Sequence, residues 1–314
     1  MHKRIVNTAN IEIHIAPAGP ILIKSGKEGG DPTKPDMEFV ETYTAKGKTI
    51  YLPGSSLKGA IRAHSERIVR TVGQAARTSE GVWACDPLDN RSPCRAIGGK
   101  SAADTYKESC TVCRLFGSTE MSSHLRIEDA YPDEPITVEQ TEERNGVAID
   151  RVYGSVAVGP FNYQVATRGE FHTRIHLKNF TTAQLGLLAL VVRDFDNHRV
   201  GLGFAKSRGM GNVSMSVKHI IVNYPGATLD EGAGRICLLS GDAVGARSQV
   251  LGAGCFAAAG EYGYRASDAV EAEATTTEDD YGYGVAQRIE GEEAIRSFWR
   301  NCVGKWKEEA QGRR

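Results

Sequence analysis

The 314-residue chain has no run of about 18 apolar residues, the minimum for a membrane-spanning helix. Its start, "MHKRIVNTANIEIHIA", alternates Ile11, Ile13 and Ile15 with Glu12 and His14 instead of building the apolar core of a secretion signal. A cytoplasmic protein with no membrane partner is the expectation. An excess of one charge sign is also missing: 38 Lys and Arg against 39 Asp and Glu give a net charge of −1. That argues against a uniformly basic coat and leaves local basic grooves open. The common nucleotide fingerprints are absent too. There is no G-x-x-x-x-G-K-[ST], and in "GLGFAKSRGMG" the third glycine of G-x-G-x-x-G would fall at Lys206. Ser55 and Lys58 match S-x-x-K, but the S-D-N and K-T-G elements of serine acyl enzymes are missing; the nearest is "KTI" at Lys48 to Ile50.

Cysteine is present in an odd number, seven, which does not suit a closed disulfide framework. Cys237, Cys255 and Cys302 stand apart, while Cys85, Cys94, Cys110 and Cys113 follow C-x8-C-x15-C-x2-C. The closing pair can give two thiolates to one ion, and the distant pair can complete a tetrahedron, so structural Zn²⁺ is expected. His64 or His124 could replace one cysteine, and four buried free thiols are the alternative. A thioredoxin-like role lacks its βαβ context.

Ile11 to Ile15 reads as a half-buried strand, followed by a long polar loop, residues 25–48. "YLPGSSLKGAIRAHSERIVRTVG" is a cationic helix with its cap at Ser55 or Ser56, and Leu57, Ile61, His64 and Ile68 toward the core. The free N–H groups and dipole of its first turn favour an anion such as phosphate. A cysteine-bearing insertion covers residues 80–117, and a hairpin residues 144–165. In "GEFHTRIHLKNF", Phe171, Thr173, Ile175 and Leu177 alternate with His172, Arg174 and His176, giving one apolar and one basic face. A second helix starts at Thr181 or Thr182 and carries Leu185, Leu188, Ala189, Val192 and Phe195 on one stripe. "GLGFAKSRGMG" then gives a glycine-rich loop with Lys206, Ser207 and Arg208 before a strand at Val213, Met215 and Val217. Such a loop can bring backbone and cations close to a phosphodiester, or it is simply a turn requiring positive φ.

This order of elements suits an α+β, ferredoxin-like fold over residues 1–225. Residues 226–314 form a C-terminal extension, in which seven acids between Glu261 and Asp280 face the single Arg265. "TTTEDDYGYG" reads as a solvated linker or loop, and Ile295, Phe298, Trp299, Cys302 and Trp306 as a stripe on a last helix that docks against the palm of the same chain or a neighbouring subunit.

Five segments in this order carry a resemblance: "LPGSSLKGAIR", "CTVCRLFGS", "LRIEDA", "NGVAIDRVYGSV" and "GLGFAKSRGMG". Together the chain resembles the RAMP superfamily (repeat-associated mysterious proteins), specifically the repeated backbone subunits of type III CRISPR effector complexes. The resemblance implies an RNA-recognition-like palm with a β-hairpin thumb and a zinc-binding insertion, polymerising along a guide RNA (crRNA) with further RAMP backbone subunits and other subunits of the complex.

On the matching positions, Gly54, Ser55, Ser56, Lys58 and Arg62 would hold guide phosphates, as would Lys206, Ser207, Arg208, Gly209 and Gly211. Ile149, Arg151, Val152 and Tyr153 would lie on the thumb that interrupts guide–target pairing. The resemblance also implies a loop aspartate that cleaves target RNA with Mg²⁺ or Mn²⁺, the ribose 2′-hydroxyl attacking. "DMEFV" places that role on Asp36, with Asp31 as the fallback; a turn or Asx-cap residue is the other reading of Asp36. A non-catalytic, structural crRNA-binding backbone subunit is the alternative function.

Overall fold

Ile11, Ile13 and Ile15 fix the centre of the molecule, because a strand's period of two puts all three on one face, where each is 1% exposed. Burying each contributes about 1.5–3 kcal/mol relative to leaving it in water. The computed structural model describes residues 4–26, 35–73, 81–86, 88–89, 94, 100–258, 261–265 and 267–312.

The first strand, β1 (Thr8–Pro17), is followed by a short hairpin, β2 (Glu41–Thr44) and β3 (Gly47–Ile50), and by helix α1 (Gly54–Val72). Short helices α2 (Ala102–Glu108) and α3 (Thr111–Phe116) precede β4 (Leu125–Ile127) and β5 (Tyr131–Pro132). A long hairpin, β6 (Glu142–Ile149) and β7 (Val156–Val165), leads to β8 (Phe171–Lys178), α4 (Thr182–Asp196) and β9 (Val213–Pro225).

β9, β1, β8 and β4 lie side by side, each antiparallel to its neighbour. With α1 after β1 and α4 after β8, this is the β-α-β-β-α-β pattern in which the fourth strand neighbours the first. The molecule is thus mixed α+β with antiparallel sheets, consistent with the ferredoxin-like expectation. Its apolar face packs on the helices. The other face carries Glu12, His14, His172, Arg174 and His176, as the alternation of β1 and β8 requires.

Beyond β9, the chain forms a three-stranded sheet, β10 (Ala227–Asp230), β11 (Arg235–Leu238) and β12 (Ala243–Ala246), and a pair, β13 (Gln249–Leu251) with β14 (Ala269–Glu271). β15 (Thr275–Glu278) and β16 (Gly284–Glu290) then extend the main sheet beyond β9, with Ile289 opposite Ile220. Helix α5 (Glu292–Ala310) lies on α4. A Cβ at Gly186 of α4 would stand 2.2 Å from the Cys302 carbonyl oxygen, so glycine permits this close crossing.

Three expectations change and one of two alternatives is settled. The polar loop at 25–48 contains the β2–β3 hairpin, held by an ion pair between Lys48 and Glu41 at 2.7 Å. "TTTEDDYGYG" is largely a strand and turn, because the β-branched Thr275–Thr277 pairs with β16 despite the acids that follow. The stripe on α5 docks on its own chain, one of the two surfaces expected for it: Phe298, Cys302 and Trp306 are buried against α4. Finally, α1 begins at Gly54 after Pro53 with no side-chain cap of its own, so Ser55 and Ser56 sit inside its first turn. Its buried line is Leu57, Ile61, Ser65 and Val69, while His64 bonds Asp194 Oδ2 at 2.8 Å. No helix among the described residues is long and apolar enough to cross a membrane.

Candidate nucleic-acid interface and metal centre

The C-x-x-C turn opens α3, where Cys110 is the residue before the first helical position. Its Sγ accepts from the Cys113 N–H at 3.3 Å, and Cys94 Sγ accepts from the Cys110 N–H at 3.2 Å. Cys85 Sγ stands 3.7 Å from Cys113 Sγ and 3.8 Å from Cys110 Sγ. An ion bonded to four sulfurs at about 2.3 Å sets a tetrahedron with edges of about 3.8 Å. The donor set and spacing fit a soft divalent ion, and one Sγ from each cysteine lies within 4.8 Å of the others.

The thiols cannot all ionise unaided. Hydrogen bonds from Cys113 and Cys94 lower the Cys110 thiol, while those with Cys110 push the Cys113 and Cys94 thiols up. A cation is what allows the whole set to be thiolate. Neither histidine joins them: His64 pairs with Asp194, and His124 Nδ1 lies 2.9 Å from the Lys178 carbonyl oxygen.

Arg62 binds this centre to α1. Its guanidinium reaches Glu66, the Gly117 carbonyl at 3.1 Å and Cys113 Sγ at 3.5 Å. Burial opposes its charge, but Glu66, Cys113 and Cys85 outweigh that and raise its pKa. Arg62 is thus half-buried and serves the cysteine cluster as well as the helix.

At the start of α1, the Gly54 N–H donates to Asp129 Oδ1 at 2.7 Å, so a carboxylate of "LRIEDA" already faces the helix dipole. A Cβ at Gly54 would lie 2.3 Å from the Ile127 carbonyl oxygen, which explains the glycine. Lys58 donates to Ser123 Oγ at 2.9 Å and the Leu125 carbonyl at 3.0 Å. Burial, and then the neighbouring Arg62, lower its pKa. Lys58 and Ser55 nonetheless line a groove with Arg126 and Lys178, whose cations suit a phosphate chain.

A second assembly surrounds Asp36. Its Oδ2 accepts from the Asn162 N–H at 2.9 Å, and Met37 pairs with Tyr163, so "DMEFV" runs beside the base of β7. Lys24 pairs with Phe39, and Ile21 with Ala166, so residues 21–24 lie against both the Asp36 segment and the hairpin base. On the same short segment, the Phe204 N–H donates to the Leu22 carbonyl, and the Gly211 N–H to that of Pro20, both at 2.8 Å. Gly203 and Gly211 have φ of 83° and 92°, and a Cβ on either would strike backbone at 2.3 and 2.5 Å. Two of the loop's glycines thus serve close packing, while Lys206 to Gly209 stay exposed.

Phe204 links the cations: Lys24 Nζ lies 5.3 Å and the Arg208 guanidinium 5.2 Å from its ring centre. Beyond the base, the hairpin bears exposed apolar side chains, among them Val152 at 79% and Tyr153 at 84%, with Ile149 and Val156. Arg151 is exposed at its tip.

Asp31 lies outside the described residues. Lys24, Tyr163 and Phe204 were missed by reasoning from sequence. An aromatic set among glycines and cations in "GLGFAKSRG" was the available signal for Phe204; Lys24 and Tyr163 join only through tertiary pairing.

A model of the RAMP superfamily matches residues 17–214. The curated proteins give no match. Among solved structures, a chain of a "Type IV-B CRISPR Complex" is similar at 16% identity and a TM-score of 0.46, covering 67% of this chain and 90% of that one.

Proposed function

This chain belongs to the RAMP superfamily, and on that premise we propose that it is a backbone subunit of a type III CRISPR RNA-guided complex. It binds crRNA, takes its place beside further RAMP subunits, and cleaves paired target RNA. The observation that carries this reading is the convergence of Asp36, the base of the exposed hairpin and the cationic glycine loop on residues 20–24. In such an interface the backbone cations position RNA without reading it, and base pairing supplies sequence. The exposed apolar residues of the hairpin give wedges that can lie against a base stack or a neighbouring subunit.

Zinc in the four-cysteine centre is structural, since four protein sulfurs leave no open position. At the reaction site, Asp36 is the residue that would hold Mg²⁺ or Mn²⁺. One carboxylate suits Mg²⁺, which keeps waters and shares substrate phosphates. Among the described residues Asp36 belongs to no cluster of three or more metal-ligating side chains. Bound there, the ion would supply charge neutralisation for the phosphorane.

The interface is tested by replacing Lys206 and Arg208 together with Ala and measuring guide binding against salt. Losing two phosphate contacts should flatten the slope of log K against log salt by about 1.4 and weaken binding at least about tenfold near 0.1 M salt. An unchanged slope would remove the loop from the interface. The non-catalytic alternative has its own support, because the Asn162 N–H on Asp36 Oδ2 gives this carboxylate a structural partner that fixes its segment to β7.

A further inference from the structure

We infer that His14 and His172, with Glu170 behind the His14 ring, form a site for a divalent transition-metal ion on the polar face of the sheet, separate from the four-cysteine centre. His14 of β1 stands directly opposite His172 of β8 in the antiparallel register, so both side chains leave the same face. His14 Nε2 and His172 Nδ1 face each other at 2.7 Å, with the rings nearly perpendicular at 81°. Behind each ring is a carboxylate: Glu170 Oε1 lies 2.6 Å from His14 Nδ1, and Asp133 Oδ1 lies 2.7 Å from His172 Nε2. The second is an ion-pair contact without hydrogen-bond alignment.

Two facing imidazoles, each backed by a carboxylate, are the arrangement that orients metal-bound histidines. His14, His172 and Glu170 cluster with one polar atom of each within 4.8 Å of the others, the two facing imidazole nitrogens being the ligands and Glu170 the carboxylate that orients His14. An ion bonded at about 2.0–2.1 Å to tetrahedral ligands needs them roughly 3.4 Å apart. The rings must therefore part by about 0.7 Å, a side-chain adjustment. In the absence of an ion, one shared proton between the facing nitrogens satisfies the same geometry, and that is the competing account.

The surrounding charge favours a cation. Glu12 Oε1 lies 3.6 Å from His14 Nε2. Lys218, 3.9 Å from Glu170, and Arg174, 3.6 Å from Glu12, offset it only in part. Imidazole donors select Zn²⁺, Ni²⁺ or Co²⁺ over Mg²⁺, so this site is distinct from the ion assigned to Asp36. His14 and His172 side chains are 14% and 27% exposed, sheltered yet open to an entering ion. The ion would tie β1 to β8 and to the segment after β5.

The test is equilibrium dialysis of the full chain against Zn²⁺ and, separately, Co²⁺. Wild type should retain about one more Zn²⁺ per chain than His14→Gln/His172→Gln. Its Co²⁺ form should show nitrogen/oxygen-type d–d bands that the double variant lacks, while thiolate charge-transfer bands persist in both. Glu170→Gln, a half-exposed change that keeps shape, should weaken the extra site at least about tenfold. It decides the matter if the double variant does not fold. Equal metal content in wild type and the folded double variant, or unchanged affinity in Glu170→Gln, overturns the inference and leaves a proton-sharing histidine pair.

Discussion

Asp36→Ala is expected to slow cleavage of guide-paired target RNA about 10³-fold while leaving guide binding within about twofold. The carboxylate is exposed on a segment anchored to β7, so its removal costs the fold little beyond the Asn162 N–H contact. In the proposed reaction the 2′-oxygen forms a bond to the adjacent phosphorus as the bond from phosphorus to the 5′-oxygen breaks. The 2′-hydroxyl proton leaves and the 5′-oxygen takes one up. Products therefore end in 2′,3′-cyclic phosphate and 5′-hydroxyl, which end-specific labelling after incubation with Mg²⁺ or Mn²⁺ resolves. Full-rate cleavage by assembled Asp36→Ala complexes would remove the assignment from Asp36 and turn attention to Asp31→Ala. Loss of cleavage in neither variant favours the structural, non-catalytic subunit.

Cys110→Ser/Cys113→Ser should lose about one zinc per chain and lower the thermal midpoint by roughly 10 °C or more. Structural zinc contributes an apparent 10–16 kcal/mol in small zinc peptides, and only part of that need appear here to produce such a shift. The loss should not stay local. Arg62 joins Cys113 to α1, and Arg70 joins the Cys85 carbonyl at 2.6 Å to Glu66 of the same helix. Guide binding through the groove at Ser55 and Lys58 should weaken with it. Elemental analysis and calorimetry on the same preparations check both effects; wild type without zinc, or a variant with an unchanged midpoint, contradicts them.

What could be read from sequence follows from the range of the interactions. β1 and β8 keep a strict period of two, so their faces were legible from Ile11 to Ile15 and from Phe171 to Leu177. β9 does not: its buried residues run Val213, Met215, then Ile220, Val222 and Tyr224. The phase change accompanies an irregularity opposite Glu12 and Ile13, which only the pairing reveals. The start of α1 was misplaced because Asp129, 75 residues away, does what Ser55 was expected to do. The C-x-x-C turn was local and visible, whereas Arg62's attachment to it was not. The Asp36 segment could be singled out by pattern, but its place beside Asn162 and Tyr163 depends on pairing across 126 residues.

Whether this chain holds a guide RNA is tested by identifying the nucleic acid that co-purifies with the assembled complex from cells carrying a guide array. RNase-sensitive, DNase-resistant material of defined length with array-derived sequence is expected. Complex that emerges free of RNA at about 0.1 M salt, where phosphate contacts are strong, would contradict it.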